Sequence, residues 1–162
     1  MKILIRGRAA IERISETPFP ERTMLISITD AKEEPVHLKN KPDYLLRLSF
    51  DDVSEEVIYD EAGEYPTPDD RLRIEKKYNM FTSEQAVELA SFYFQNIDKA
   101  DILICQCEHG ISRSAAVAAA ILELRGRRGI QIFANDTYYP NKTVFRKTFA
   151  ALKARIPKRY SV

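Results

Sequence analysis

Short apolar runs bounded by turn residues occur at residues 3–5, 24–28, 44–50 and 102–105, and their length and β-branched content predict four strands. The last, Ile102-Leu103-Ile104, is continuously apolar rather than alternating. That suits a central strand covered on both faces, so a helix is expected on either side of it. Two helical patterns flank this strand in the sequence. Residues 82–96 open with Thr82-Ser83-Glu84-Gln85, which has capping-box spacing, and carry Val87, Ala90, Phe94 and Ile97 at helical intervals. In residues 114–124, Ala115, Ala116, Ala118, Ala119 and Ala120 give high helix propensity, Gly126 supplies a stop, and the small side chains permit close packing under a sheet. A third helix should begin near Asn141, behind Pro140, burying Val144, Phe145, Phe149 and Leu152. Residues 51–80 mix carboxylates with Pro66 and Pro68 and read as a mobile loop with a short helix near residues 70–78. The alternation of elements predicts an α/β domain, a central mostly parallel sheet flanked by helices in three layers. No repeat, low-complexity tract or linker interrupts it, so residues 1–162 are expected to form a single domain.

Composition adds bounds rather than a function. With 44% hydrophobic and 30% charged residues the chain can bury a real core, and a net charge of +1 gives no ground for a nucleic-acid or membrane partner. Charge is uneven locally: residues 51–70 carry Asp51, Asp52, Glu55, Glu56, Asp60, Glu61, Glu64, Asp69 and Asp70 without a basic residue, and after Asp136 the chain has basic residues only. Both stretches read as solvated surface. The start, Met1 to Arg8, is too weakly apolar for a signal peptide and no run approaches membrane-spanning length, so a cytoplasmic location is expected. Cys105 and Cys107, one residue apart, make neither a disulfide framework nor a four-ligand zinc site. A reducing compartment fits, and thiol chemistry becomes the question.

The chemistry concentrates in Cys107-Glu108-His109-Gly110-Ile111-Ser112-Arg113-Ser114, which runs from the buried strand into the Ala-rich helix. A loop folded between Cys107 and Arg113 onto a helix N-terminus aims successive backbone N–H groups at one point, where an anion gains from those donors and from the helix dipole. The loop residues Glu108, His109, Gly110, Ile111, Ser112 and Arg113 are therefore expected to bind phosphate. The planar guanidinium of Arg113 can grip two phosphate oxygens at once. Gly110 allows a positive φ and leaves no Cβ to block the oxyanion. The same donors favour the thiolate form of Cys107, and Ser114 is placed to hydrogen-bond the sulfur when it leaves.

This pattern resembles the protein tyrosine phosphatase superfamily, whose signature is Cys-x5-Arg followed by Ser or Thr, and most closely its compact dual-specificity and bacterial or phage members. The resemblance rests on Cys107, Gly110, Arg113 and Ser114, the Ala-rich helix and Pro140-Asn141 before the last helix. It implies a phosphatase-like three-layer fold and a phosphocysteine intermediate with no metal or other cofactor. Gln106 departs from it, since the family usually has His before the nucleophile. A general acid is needed for the leaving oxygen, in a loop after a different strand. Asp51-Asp52-Val53, after residues 44–50, looks like the family's acid loop, with Asp52 preferred, Asp51 the alternative, and Asp69 or Asp70 next. His109 is expected at the pocket rim, and His37 has no recognisable context. Cys105 is expected in the strand core, with a bridge to an oxidised Cys107 as the other reading. Glu108 and the absence of Lys in the loop favour phosphorylated proteins, on tyrosine or on serine and threonine, over inositol lipids. The alternatives are a catalytically inactive phosphate-binding module and an RNA 5′-end phosphatase, the latter using Lys142, Arg146, Lys147, Lys153, Arg155, Lys158 and Arg159 along a backbone.

Overall fold

The computed structural model describes residues 1–156. Its strands are β1 (Lys2–Gly7), β2 (Thr23–Thr29), β3 (Tyr44–Ser49) and β4 (Ile102–Cys107), and its helices are α1 (Arg8–Ile14), α2 (Glu56–Ala62), α3 (Pro68–Lys77), α4 (Ser83–Asn96), α5 (Arg113–Gly126), α6 (Ile130–Phe133) and α7 (Lys142–Ala154). The strands form one sheet in the order β1-β4-β2-β3, and every pairing is parallel. β4 thus inserts between β1 and β2 although it comes last. In parallel strands all carboxyl ends share one edge, the usual position of a ligand crevice in such sheets. Here Gly7 pairs with Cys107, and Thr29 with Ser49, along that edge.

β2 and β4 have the continuous apolar character of strands covered on both faces, and both are buried almost throughout. The covering differs from the expected one. Helices α4, α5 and α7 all lie on one face, where Leu89, Tyr93, Val117, Ile121, Val144 and Leu152 pack with Met24, Ile26, Leu103 and Cys105. The other face is covered by α1, through Ile11, and by Val36 and Leu38 from the segment after β2, packed on Leu25 and Ile104. The heptapeptide of α1 is too short to announce itself by periodicity.

Several boundaries follow the expected chemistry. α4 is opened by a reciprocal capping box between Thr82 and Gln85, and α7 by Asn141, whose side chain accepts from Val144 N–H. Its buried face is partly shifted, however: Val144 and Leu152 are buried, and Phe145 and Phe149 partly so. On α4 the buried stripe is Ala86, Leu89, Ala90 and Tyr93, while Val87 is 41% exposed. Both stripes have helical spacing, and only the sheet beneath chooses between them. Gly126 stays helical, and α5 is ended instead by Arg127 with a left-handed φ of 54°.

Residues 51–80 are not the expected mobile loop, although the short helix expected near residues 70–78 is present as α3. Two helices, α2 and α3, pack Ile58, Ile74 and Met80 into a small cluster of their own, edged by Val53, Val57 and Tyr78. The start of α3 follows a local rule: Thr67 caps it, Pro68 occupies the first turn, and Asp70 closes a capping box. The carboxylates are held as well as solvated. Glu55 of the acidic stretch pairs with Arg146, and Glu75 of α3 with Lys147, 2.6 Å away, so carboxylates of residues 51–80 and the basic last helix are partly each other's counter-ions. No helix among the described residues is long and apolar enough to cross a membrane. Because Ile74 is fully buried in this cluster, Ile74→Ala should lower stability by about 2–5 kcal/mol in chemical denaturation. Amide exchange should accelerate first in α2 and α3. Equal acceleration through β2 and β4 would show that the cluster has no independence.

Candidate active site

At the carboxyl edge of the sheet, each strand delivers something to the loop that joins β4 to α5. Cys107 ends β4 with 2% of its surface exposed, and its Sγ lies 3.1 Å from Ser114 Oγ, one residue into α5. The chain between them turns through Gly110, whose φ is +71°. A Cβ there would lie 2.5 Å from Gly7 N and 2.6 Å from Arg6 C. The glycine has the positive φ expected of it, and its missing Cβ makes room for the end of β1. Gly7 answers from the other side, since its own Cβ would sit 3.0 Å from His109 O. Arg8 N–H then donates to Glu108 O at 2.9 Å, fastening the loop to the start of α1.

Glu108 does not project its charge freely over this loop. Its Oε2 accepts from Arg8 Nε at 2.7 Å, and Arg8 NH2 donates onward to Glu34 O. His109 and Ile111 are exposed at the rim, and Ile111 O accepts from Tyr139 N–H at 3.1 Å. Ser112 precedes α5, yet its hydroxyl does not cap that helix. It donates to Asp52 Oδ1 at 2.9 Å instead. The first N–H groups of α5 are thus left uncapped by that side chain, beside the thiol, as an anion-binding helix start requires.

Arg113 is buried, 3% exposed, at the first position of α5. Its NH1 donates to Phe50 O at 2.7 Å and lies 2.5 Å from Asp30 Oδ1 as an ion pair, and Asp30 Oδ1 accepts no hydrogen bond among the described residues. Its Nε is buried with no hydrogen-bond partner among the described residues. A buried guanidinium N–H without an acceptor is costly unless a ligand supplies one.

The two adjacent aspartates after β3 face different tasks. Asp51 accepts from Ala31 N–H at 2.8 Å and from Asn79 Nδ2 at 3.2 Å, which ties β3 to neighbouring loops. Asp52 is exposed, and both of its hydrogen bonds fall on Oδ1, from Ser112 Oγ and from Asn141 Nδ2, each at 2.9 Å. Asp70 is engaged in the cap of α3, and the Thr67 hydroxyl there holds its carboxyl below the ordinary range. Asp69 is exposed in the first turn of the same helix.

Cys105 lies on the sheet face that packs against the helices, fully buried, and burial pushes its thiol strongly upward, with Cys107 adding to the effect. Gln106 points to neither cysteine's cluster: its side chain accepts from Ser27 Oγ at 2.6 Å and bonds β4 to β2. His37 is exposed on the segment after β2. Four contributors were not read from the sequence: Asp30, the Phe50 carbonyl, Arg8 on Glu108, and the hydrogen bond that the Asn141 side chain donates to Asp52. Only Asp30 left a usable signal, an acid directly after a predicted parallel strand and hence on the edge where the reactive loop emerges.

Comparison of the sequence with protein-family models and with curated proteins finds no match. Among solved structures, the chain is similar to PTPMT1 in complex with PI(5)P, with a TM-score of 0.52 and 15% identity over 94% of this chain and 91% of that one. A second PTPMT1 structure and human DUSP28 each give a TM-score of 0.46 at 14% identity, over 94% of this chain and 90% and 92% of theirs. The parallel four-stranded sheet with helices on both faces is the phosphatase-like α/β fold that PTPMT1 displays.

Proposed function

We propose that residues 1–162 act as a single cysteine-dependent phosphatase domain of the dual-specificity type, hydrolysing phosphate monoesters through a phosphocysteine. One observation carries this reading: a buried thiol, a hydroxyl 3.1 Å from it and a buried guanidinium with an unanswered Nε meet where a strand turns into a helix N-terminus. In the first step Cys107 attacks phosphorus, the sulfur–phosphorus bond forms, and the bond to the leaving oxygen breaks. Arg113 and the amides of the loop from Glu108 to Ser112 hold the remaining oxygens, which is where phosphoryl transfer needs its stabilisation. Asp52 gives its proton to the leaving oxygen. Both donors to Asp52 occupy Oδ1, so Oδ2 is the oxygen suited to carry that proton. In the second step Asp52 takes a proton from water, water attacks phosphorus, and Cys107 leaves as thiolate with the Ser114 hydroxyl donating to it.

The substrate class we favour is a phosphorylated protein or peptide, on tyrosine or on serine and threonine, met in the cytoplasm. An inositol-lipid phosphate stands as the second reading because of Arg8: its pairing with Glu108 neutralises the one loop acid that argues against highly charged headgroups. The PTPMT1 structure, solved with PI(5)P, points the same way. The RNA-end alternative loses two of its cations to pairing, Arg146 with Glu55 and Lys147 with Glu75; Lys158 and Arg159 lie outside the described residues. A binding-only module would keep the cradle without needing Asp52 beside it.

Turnover of an aryl phosphate should survive excess chelator and be blocked by orthovanadate, because the loop and Arg113 supply the positive field; metal-dependent turnover would sink the mechanism. Phosphotyrosine peptide and PI(5)P, assayed side by side, decide between the two substrate classes. Cys107→Ser should abolish turnover and retain phosphate binding in calorimetry, whereas normal turnover would remove Cys107 as nucleophile. Asp52→Asn should cost roughly 10²- to 10⁴-fold on phosphotyrosine and less on an aryl phosphate whose phenol leaves unaided. If Asp51→Asn shows that leaving-group dependence instead, the two aspartates exchange roles.

A further inference from the structure

The contacts of Arg113 are distributed unequally over its guanidinium. NH1 carries two, the hydrogen bond to Phe50 O and the ion pair with Asp30, while the buried Nε has none among the described residues. A guanidinium is a rigid planar fork, and a bidentate grip on an oxyanion requires one edge with both donors unengaged. We propose that Asp30 is a positioning residue for the phosphate clamp: with the Phe50 carbonyl it occupies the NH1 corner and so leaves the Nε–NH2 edge of Arg113 turned to the substrate phosphate. This rests on the phosphatase reading of the site.

Asp30 is built to hold that corner. It directly follows β2, the strand next to β4, so it emerges on the same sheet edge as the reactive loop. Its own segment is tied at three places: Glu33 N–H donates to Asp30 O, Ala31 N–H donates to Asp51 Oδ1, and Arg8 NH2 donates to Glu34 O. The opposite pin, Phe50 O, directly follows β3, and Phe50 N–H donates to Thr29 O beside Asp30. The ring of Phe50 also lies under the guanidinium, 6.0 Å from Cζ. Two adjacent strands therefore set the orientation of a side chain carried by a helix behind a third.

The position has a cost that makes the proposal decidable. A carboxylate beside an anion site repels the anion, so charge alone predicts that removing it tightens phosphate binding. Positioning predicts the reverse. The experiment compares wild type, Asp30→Asn, Asp30→Glu, Arg113→Lys and the double variant Asp30→Asn/Arg113→Lys. Its readouts are turnover of an aryl phosphate, calorimetric binding of inorganic phosphate and the thermal midpoint. Asp30→Asn should lower kcat/KM roughly 10- to 100-fold, the scale of a misplaced catalytic group, and weaken phosphate binding when assayed well below its thermal midpoint, which should itself fall because the buried guanidinium loses its counter-ion. Asp30→Glu should recover part of both. In the Arg113→Lys background, where no fork remains to orient, Asp30→Asn should change kcat/KM by less than about twofold, because groups acting through one another are not additive. Tighter phosphate binding in Asp30→Asn, or an undiminished loss in the Arg113→Lys background, overturns the inference while leaving the phosphatase reading intact. A wild-type protein that binds phosphate without turnover overturns the enzymatic reading, and Asp30 is then judged on binding alone. If wild type does neither, both fall.

Discussion

A fixed cation buried to 3% exposure is the constraint around which this edge of the molecule is arranged. Arg113 is largely withdrawn from water where it sits, and an uncompensated buried charge would cost several kcal/mol, so acceptors must reach it from other parts of the chain. They come from the ends of β2 and β3, as Asp30 and the Phe50 carbonyl. That demand explains why the strands are parallel in effect as well as in name: only when their carboxyl ends share an edge can β2, β3 and β4 all contribute to one guanidinium. The part of Arg113 left unanswered is then a property of the fold rather than an accident of one side chain.

The reactive loop is held from below by the absence of side chains. Gly7 and Gly110 approach so closely that a Cβ on Gly110 would collide with the backbone of β1. With φ of +71° at Gly110, the backbone requirement and the packing requirement fall on the same residue. On its outer side the loop is fastened by Arg8 to Glu108 and by Ser112 to Asp52, and Asn141 joins Asp52 to the start of α7. The last helix is itself anchored to the acidic stretch through Thr143 on Glu55 N–H, and to the residues that follow it through Lys147 on Glu75 and Phe81 O. The uneven charge along the chain therefore closes in space.

What could be read from the sequence was what is local. The strand entering Cys107, the Ala-rich helix leaving Arg113 and the caps at Thr82 and Asn141 are set within a few residues of themselves, and they formed as their patterns imply. The face of α4 was not local, because Val87 and Leu89 offer comparable stripes until the sheet selects one. Within residues 51–80, α3 was legible as a short helix near residues 70–78, whereas α2 was hidden behind its carboxylates. The apolar residues of this stretch are few and make sense only once Ile58, Ile74 and Met80 are brought together from three separate places. Asp30, Phe50 and Arg8 act on the site across long sequence separations, and no spacing rule reaches that far.

The pair Asp51-Asp52 shows how such distant contacts assign chemistry to neighbours that the sequence leaves alike. The two carboxylates meet different surroundings. Asp51 has both oxygens engaged, one by Ala31 N–H and one by Asn79, and its loss would loosen the segment that carries Asp30. Asp52 is exposed, keeps Oδ2 clear of the two donors on Oδ1, and is joined through Ser112 to the loop that holds Cys107. A proton donor needs an oxygen that can hold a proton and release it toward the leaving group, and a structural anchor needs the opposite, both oxygens committed. On that physical ground the two adjacent aspartates divide into an anchor and a candidate acid.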